Sequence, residues 1–338
     1  MMVSAFPGRP VPRPAARRPP QVLLRSVAVV GVLTLCWSTS FRDRHEESAG
    51  DGTAFSHPQV TPRPESRTSY GLRASGQASE KGSRRLLILG GNGYVGREVC
   101  KLSVERGWQV TSLSRRGENP EPGNPQLDQV RWVKGNAADA DTLRQLVGEA
   151  DAAVHAIGLL FDANSGLTIL NNVVSGSKSV ADETSTYDTV TRKTAFNLIN
   201  ALKQKFRMPF SAPTPVMFVS AAEAGWPDVN FGPQVEEAAP GWLKEYLMAK
   251  RAVERELTSS RESIRPVMFR PSLIWSWTKF DVLPVIPVFN ALNALGVPFV
   301  DKTVTVSTLS KAIMAGLEDD GLSGVQRFEQ MEQLETRI

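Results

Sequence analysis

A strand followed by a glycine-rich turn constrains the fold of this chain more than any other feature. The apolar run LLIL (86–89) leads directly into GGNGYVG (90–96), where Gly90, Gly93 and Gly96 keep a G-x-x-G-x-x-G spacing before a helical segment. Such a turn lets the backbone approach a pyrophosphate closely and directs the helix N-terminal amides at its negative charge. The context that the motif requires is present, so we predict a dinucleotide site here. The predicted contacts in the turn are Gly90, Asn92, Gly93, Tyr94, Val95 and Gly96.

Short apolar runs alternate with segments of helical spacing from Arg84 onward. The predicted strands are RLLILG, WQVTSLS, QVRWVKG, DAAVHAIG and PVMFVSAA, and segments such as GREVCKLSVERG between them have helical spacing. Strand then helix, repeated, predicts a parallel sheet that is covered on both faces. We therefore predict the α/β class: a doubly wound parallel Rossmann sheet, with a small, proline-rich C-terminal region on the substrate side from about Arg270.

The first 83 residues differ in composition from the rest of the chain. They carry 11 basic and six acidic side chains, a formal charge of +5, whereas residues 84–338 carry 28 and 29, a charge of −1. The charge-free run Ser26–Phe41 follows a basic start and has 16 residues, which is short for a membrane span. We interpret 1–41 as a targeting segment, 42–83 as a disordered presequence or linker, and 84–338 as the folded domain.

This leader predicts an organellar location, in the mitochondrion or the plastid, with an uncleaved anchor helix as the alternative. The nearly neutral body shows no basic face and argues against a nucleic-acid partner. The cysteines, Cys36 and Cys100, and the histidines, His45, His57 and His155, are scattered along the chain. We therefore predict neither a disulfide framework nor a metal site.

The end of the second predicted strand bears on the choice of dinucleotide. An acid at this position binds the ribose 2′-hydroxyl of NAD, whereas a 2′-phosphate favours arginine. The strand ends VTSLSRRG, with Ser114, Arg115 and Arg116 and no acid. We therefore predict NADP(H) in preference to NAD(H); the alternative is that both arginines are solvated turn residues.

Further cofactor contacts are predicted after the third and fourth strands. Asn136 lies where a side chain could meet the adenine amino group, and His155, Ala156 and Gly158 of HAIG would line the cofactor. His155 reads equally well as a packed, hydrogen-bonded core residue.

The segment EYLMAK places Tyr246 and Lys250 four residues apart, on one face of a predicted helix. An ammonium beside a phenol stabilises the phenolate, which would lower the pKa of Tyr246 and make it a usable proton donor and acceptor. Hydride transfer to or from a carbonyl needs such a partner, so the pair predicts an oxidoreductase.

Six motifs together carry a family resemblance. In chain order they are GGNGYVG, HAIG, TYDTVTRKTAFNLI, FVSAAE, YLMAKRAVEREL and RPSLIW. Over about 84–311 the chain resembles an extended or atypical short-chain dehydrogenase/reductase. It is most similar to the branch that contains the nucleotide-binding accessory subunit of respiratory complex I and organellar proteins tied to coenzyme Q (ubiquinone) biosynthesis.

The resemblance implies roles for the matching residues. Tyr246 would donate the proton, Lys250 would lower its pKa and contact the nicotinamide ribose, and Ser220 would hydrogen-bond the substrate oxygen. Arg270 and Pro271 match the Arg-Pro that follows the sixth strand, which places Arg270 at the cofactor.

The chain departs from the family pattern at three places. Asn136 stands where an Asp is usual, Ala221 stands where many relatives carry the serine, and SLIW replaces a continuation richer in Gly and Tyr. These departures bear on turnover more than on nucleotide binding.

An apolar stretch near the end of the chain bears on the substrate. Val282 to Val300 carries no charge, and Pro284, Pro287 and Pro298 argue against a straight membrane helix. It would form a wall for a lipophilic, quinone-like substrate or lie against a membrane, with ordinary core as the alternative.

The motifs together predict one of two functions. The first is an NADP(H)-dependent oxidoreductase acting on a lipophilic carbonyl or alcohol. The second is a non-catalytic nucleotide-binding accessory or assembly subunit of an organellar membrane complex.

Overall fold

The main element of the protein is a seven-stranded sheet in which every neighbouring pair of strands is parallel. The computed structural model describes residues 83–159, 185–206, 208, 210–276 and 286–338. The predicted targeting segment and all but the last residue of the predicted linker lie outside these ranges. The strands are β1 (Arg85–Leu89), β2 (Gln109–Ser114), β3 (Arg131–Lys134), β4 (Ala152–His155), β5 (Thr214–Val219), β6 (Ile264–Phe269), β7 (Ile274–Trp275), β8 (Val304–Thr305) and β9 (Gly324–Gln326).

The main sheet has the order β3-β2-β1-β4-β5-β6-β9. The described α-helices are α1 (Tyr94–Glu105), α2 (Ala140–Glu149), α3 (Thr194–Gln204), α4 (Gly232–Ala238), α5 (Gly241–Ser259), α6 (Ile286–Ala294), α7 (Val306–Glu318) and α8 (Phe328–Glu335). The chain builds outward from β1 to β3 and then crosses back to β4 on the other side of β1. Such a reversal opens a crevice at the carboxyl ends of the strands, which is where doubly wound sheets bind ligands.

Alternate residues of β1 show how the sheet is covered on both faces. Leu86 and Ile88 pack with side chains of α1, α7 and α8, whereas Leu87 and Leu89 pack with side chains of α2, α3 and α5. All four side chains are at most 1% exposed. A strand buried on both faces has no polar alternation, which accounts for the unbroken LLIL run. The predicted α/β class with a parallel, doubly wound sheet is confirmed.

The region after Arg270 differs from its prediction. It contains the small parallel sheet β7–β8 and helix α6, but it also supplies α7, α8 and β9, which belong to the main layers. Strand β9 has three residues and pairs in parallel with β6. A strand of that length carries no periodicity to read. The C-terminal part of the chain therefore completes the main sheet.

The apolar stretch 282–300 is described except for its first four residues. Phe299 is buried in an apolar cluster with Trp226 and Leu247, beside the end of β5, whereas Leu295 is 79% exposed. Much of this segment therefore covers the core next to the site described below. Within the ranges that the structure covers, no helix is both long and apolar enough to cross a bilayer.

Candidate functional site

The glycine turn leads from β1 into α1 at the carboxyl edge of the sheet, the edge where the parallel strands end. Gly90 has a φ of +88°, in the left-handed region that glycine adopts without steric cost. The Gly93 amide donates to the Gly90 carbonyl oxygen at 3.0 Å, and Gly93 is the N-cap of α1. No side chain of the described chain caps this helix, and its first turn holds no acid. Its first amides can therefore face an anion.

Close packing requires glycine at two positions of this turn. A Cβ at Gly96 would lie 2.2 Å from the Gly90 carbonyl oxygen, and a Cβ at Gly91 would lie 2.3 Å from the Ser112 Oγ. Gly96 thus lets α1 begin directly against the turn. Sequence analysis did not single out Gly91, because its constraint comes from β2 across the sheet; the doubled glycine was the available signal.

The other predicted residues of the turn take different positions. Asn92 is buried within the turn, whereas Tyr94 and Val95 form the start of α1 and Val95 packs against the apolar core. Their contact with a dinucleotide stays a prediction.

A second turn presents the predicted specificity residues at the end of β2. The Ser114 Oγ accepts a hydrogen bond from the Gly117 amide at 3.0 Å, so this hydroxyl closes the turn. Arg115 is exposed and its Nη1 donates to the Ser185 Oγ at 3.4 Å, while Arg116 is partly buried. Both arginines therefore lie at the carboxyl edge, after the strand that directly neighbours β1 and its glycine turn.

The loops after β3 and β4 border the same crevice. The Asn136 Oδ1 accepts from the Ala138 amide at 2.9 Å, and the side chain is exposed ahead of α2. The Ala156 amide donates to the Leu89 carbonyl oxygen at 3.0 Å, which sets HAIG directly beside the glycine turn. A Cβ at Gly158 would meet nothing within 4 Å, so this residue borders open space.

His155 is a buried, neutral residue. Its Nε2 lies 2.9 Å from the Thr194 Oγ1, and its ring centroid lies 5.5 Å from that of Phe218. Burial, aided by the nearby charge of Lys250, lowers the pKa of His155 to about 3. This geometry is that of a packed, hydrogen-bonded core residue, and a cofactor contact through His155 stays a prediction.

Lys250 is buried at the carboxyl end of β5. Only 2% of the residue is exposed, and its Nζ donates to the Val219 carbonyl oxygen at 2.8 Å. The same Nζ lies 5.0 Å from the ring centroid of Phe218 and 5.6 Å from that of Tyr246. Burial lowers the pKa of Lys250 to about 8, and the carboxylate of Glu254 opposes this shift. The helix α5 thus brings Lys250 and Tyr246 together, as their spacing predicts.

The pKa of Tyr246 departs from its expected direction. The spacing with Lys250 led us to expect a lowered value, but burial, followed by the carboxylate of Glu223 and the phenol of Tyr187, raises it. The Tyr187 ring packs edge-on against that of Tyr246 at 5.6 Å between centroids. The expectation was wrong for the chain by itself, because the Lys250 ammonium is engaged with a backbone carbonyl and burial disfavours the phenolate.

Ser220 follows β5 and is 4% exposed. Its amide donates to the Phe269 carbonyl oxygen at 2.7 Å, which fixes the residue between β5 and β6. Its buried Oγ has no hydrogen-bond partner in the part of the chain that the structure describes. A buried hydroxyl normally finds a partner, so this Oγ is suited to hydrogen-bond a bound molecule.

Arg270 is engaged by a residue that sequence analysis missed. Its Nε and Nη2 donate to the two carboxylate oxygens of Glu254 at 2.9 and 2.6 Å, and its amide donates to the Gln326 carbonyl oxygen at 2.9 Å. The side chains of this pair are 15% and 8% exposed. Arg270 therefore ties α5 to the ends of β6 and β9, and a contact with the cofactor stays a prediction. The available signal was the position of Glu254, four residues after Lys250.

Glu223 is a second residue that sequence analysis did not single out. It lies three residues after Ser220 in the 3-10 turn Ala222–Asp228, and burial, with Asp301 nearby, raises the pKa of its carboxyl group to about 7. Arg251 holds this turn: its Nε donates to the Ala224 carbonyl oxygen at 2.9 Å. Glu223 thus adds a titratable group beside Tyr246.

The described residues include no group of three His, Cys, Asp or Glu side chains that could hold a metal ion.

A glycine turn that opens a helix at a topological switch point defines the class of NAD(P)-binding α/β proteins. The family model described as the NAD dependent epimerase/dehydratase family matches residues 86–287. The chain belongs to this family, whose members bind a dinucleotide.

Curated proteins that share sequence with this chain include one from yeast and one from a plant. MIOREX complex component 2 of Saccharomyces cerevisiae is 24% identical over 284 residues, which cover 73% of this chain and 98% of the relative. An uncharacterised chloroplastic protein of Arabidopsis thaliana is 42% identical over 76 residues, which cover 22% of this chain and 25% of the relative.

Solved structures share the fold at low identity. A UDP-N-acetylglucosamine 4-epimerase from Methanobrevibacter ruminantium M1 superposes with a TM-score of 0.50 and 19% identity, over 72% of this chain and 76% of that protein. A substituted form of ElxO with NADPH bound superposes with a TM-score of 0.50 and 13% identity, over 72% and 96%. At these identities the likeness establishes the fold alone.

Proposed function

We propose that this protein is an organellar NADP(H)-dependent reductase or dehydrogenase that acts on a lipophilic carbonyl or alcohol. The observation that carries the proposal is that Tyr246 and Lys250 come together at the carboxyl end of β5, where Ser220 follows directly with an Oγ that has no hydrogen-bond partner among the described residues. All three lie on elements at the edge where the glycine turn would hold the dinucleotide. The predicted resemblance to quinone-related proteins suggests the substrate class.

The side chains of Ser220 and Tyr246 can have separate roles in carbonyl reduction. The glycine turn would hold the dinucleotide, which when bound would supply the hydride for the new C–H bond. The Ser220 hydroxyl donates a hydrogen bond to the carbonyl oxygen and orients it, while the Tyr246 O–H bond breaks as its proton passes to that oxygen. Burial raises the pKa of Tyr246, so the phenol is protonated at neutral pH, as a proton donor must be, but it is a weaker acid than a solvated tyrosine.

Lys250 positions the site through its buried ammonium. It holds the end of β5 through the Val219 carbonyl, directly before Ser220, and its charge lies on the face of the Tyr246 ring. Helix α5 therefore fixes the proton donor relative to the residue that orients the substrate. Phe299 and its apolar neighbours, which Tyr246 also touches, supply a lipophilic surface at this edge.

Tyr246→Phe tests the catalytic role. We expect turnover of quinone-like carbonyls with NADPH to fall below detection, because the variant lacks the transferable proton, while NADPH affinity stays within about twofold, since binding rests on other residues. The readout is NADPH oxidation by the full chain, with a fluorescence titration of NADPH as the control. Unchanged turnover in the variant would remove Tyr246 from the mechanism.

Arg115→Ala combined with Arg116→Ala tests the cofactor preference. The pair carries positive charge at the end of β2, where a 2′-phosphate would lie, so we expect NADPH binding to weaken by about 1 to 3 kcal/mol and NADH binding to be spared. Parallel fluorescence titrations of the two nucleotides measure the difference. An equal loss of affinity for NADPH and NADH would show that the arginines do not contact the 2′-phosphate.

A second candidate function is a non-catalytic, nucleotide-binding subunit of an organellar complex. It is favoured by the yeast relative, which is named as a complex component and is matched over 98% of its length. Under this proposal Tyr246→Phe leaves both complex assembly and cellular function intact, whereas Gly96→Ala, which places a Cβ against the Gly90 carbonyl oxygen, impairs both. Complementation in cells that lack the protein separates the two candidates. The relative named as chloroplastic supports an organellar address for either one.

A further inference from the structure

Lys134 lies at the carboxyl end of β3, directly beside the turn that carries Arg115 and Arg116. It is the register partner of Ser114, the last residue of β2, and the Gly135 amide donates to the Ser114 carbonyl oxygen at 3.0 Å. Strand β3 follows β1 and β2 in the sheet, so Lys134 lies one strand beyond the predicted specificity residues. Sequence analysis did not select this lysine, because it belongs to a different strand from the two arginines.

The turn at the end of β2 packs directly onto the backbone of Lys134. Gly117 closes this turn, since its amide donates to the Ser114 Oγ at 3.0 Å, and it has a φ of +64°. A Cβ at Gly117 would lie 2.4 Å from the Lys134 Cα, so glycine is what lets the turn approach β3 this closely. The backbone of Arg116, which precedes Gly117, is thereby fixed relative to Lys134.

The side chain of Lys134 leaves the sheet on the face that α1 covers. Side chains alternate along a strand, and Trp132, two residues earlier, packs against the apolar cluster on the α1 face. Ser112 lies on the same face of β2, because its Oγ is the atom that a Cβ at Gly91 would strike. Ser114, two residues after Ser112, and its register partner Lys134 therefore point to the side on which the glycine turn opens α1.

The charges of Lys134 and Arg116 are not neutralised by the described part of the chain. Lys134 is exposed and Arg116 is partly buried, and neither forms an ion pair with a described residue. Glu118, the acid that follows the turn, is exposed and forms no such pair either. Arg115 differs, because its Nη1 donates to the Ser185 Oγ. Two cations on neighbouring strands are thus available to one anion of high charge.

We propose that Lys134 is a further residue that selects NADP(H) over NAD(H), by contacting the 2′-phosphate of the adenosine ribose together with Arg116. The inference rests on the proposed NADP(H) dependence of the protein. In doubly wound sheets the pyrophosphate lies at the turn after β1, and the 2′ position of the ribose is recognised at the end of the second strand. A phosphate there carries about two negative charges, more than one guanidinium neutralises, and Lys134 supplies the second positive charge from the next strand.

Nucleotide binding by the full chain tests this without any turnover. Lys134→Met removes the charge and keeps a long side chain, whereas Lys134→Arg keeps the charge. Lys203→Met, at an exposed lysine near the end of α3, is the matched control for the change in net charge. Calorimetric titrations use two pairs of probes, NADPH against NADH and adenosine 2′,5′-bisphosphate against adenosine 5′-monophosphate. The second pair isolates the phosphate from the nicotinamide end.

We expect Lys134→Met to weaken the binding of NADPH and of adenosine 2′,5′-bisphosphate by about tenfold, because one charge-assisted bond to the phosphate is lost. The affinities for NADH and adenosine 5′-monophosphate should stay within about twofold, since neither carries a 2′-phosphate. Lys134→Arg and Lys203→Met should keep the preference of the parent protein. The loss in Lys134→Met should shrink as the pH falls below about 6, where a phosphate monoester gives up one of its charges.

Two results would overturn the proposal. If the parent protein prefers NADPH and Lys134→Met keeps that preference, the phosphate contacts other residues and Lys134 is a solvated lysine of an edge strand. If the parent protein binds NADH as tightly as NADPH, the NADP(H) preference fails together with the role of Lys134. Neither result depends on hydride transfer, so a failure of the reductase proposal, seen as unchanged turnover in Tyr246→Phe, is distinguished from both. Retained NADH binding shows that the variants are folded.

Discussion

The two edges of the main sheet differ in which side chains they bury. The carboxyl edge buries charged side chains, whereas the amino edge exposes apolar ones. At the carboxyl edge, Lys250 and the Arg270–Glu254 pair are buried, and an apolar cluster forms around Trp226. At the amino edge, ion pairs such as Arg131–Glu149 are exposed to solvent, and the side chains of Phe206 and Phe210, between α3 and β5, are exposed as well. Burial of charge and exposure of apolar surface both cost free energy, so each edge carries a cost that folding alone does not explain.

The largest expected difference between the edges comes from their ion pairs. Glu254→Ala leaves the Arg270 guanidinium without its partner in a site where the pair is 15% and 8% exposed, so we expect the free energy of unfolding to fall by about 3 to 5 kcal/mol. Urea denaturation measures this loss. Glu149→Ala is the matched control: its pair with Arg131 is 51% and 57% exposed and should contribute at most about 1 kcal/mol. Equal losses of stability in the two variants would show that the buried pair at the carboxyl edge contributes no more than the exposed pair at the amino edge.

The pH dependence of stability tests the cost of burying Lys250. Its pKa is about 8 in the folded chain, against an ordinary 10.5, so between these values the unfolded chain binds more protons than the folded one. The free energy of unfolding should therefore rise with pH from about 8 toward 10, by up to about 3 kcal/mol. Lys250→Met should lack this rise in urea denaturation between pH 7.5 and about 10. Parallel curves for the two proteins would show that the ammonium carries no such cost.

The smallest expected effect is at Phe210, an exposed residue between α3 and β5 whose φ is +66°. Phe210→Gly relieves the left-handed backbone, whereas Phe210→Ala removes the same exposed ring and keeps the Cβ that strains it. We expect the glycine variant to be more stable than the alanine variant by about 1 kcal/mol, and the alanine variant to match the parent protein. Thermal unfolding measures both differences. A large loss in the alanine variant would mean that the Phe210 ring packs against the fold after all.

The parts of the molecule that the sequence predicts are those fixed by neighbours in the chain. The glycine turn and the Tyr246–Lys250 spacing were readable because a strand, a turn and one helix face are local patterns. The sheet class followed because buried strands of a parallel sheet carry unbroken apolar runs such as LLIL. These features position the site and assign the family.

The parts that escaped prediction depend on residues brought together by the fold. Gly91 is constrained by Ser112 on the next strand, and Glu254 finds Arg270 only when α5 lies against the end of β6. The direction of the Tyr246 pKa depends on burial and on Glu223, neither of which a four-residue spacing reveals. What could not be predicted from the sequence is therefore mainly the polar interactions between elements, rather than the elements themselves.

Helix α5 is held at two points along one side. Lys250 bonds to the end of β5 and Glu254 bonds to the residue that follows β6, one helical turn further on. One residue inserted between them would rotate one anchor relative to the other by about 100°, so both bonds could not form together. The spacing between Lys250 and Glu254 is thus fixed by the distance between two strand ends, whereas substitutions on the exposed face of the helix leave both bonds in place. Natural insertions in related chains should accordingly fall before Tyr246 or after Glu254.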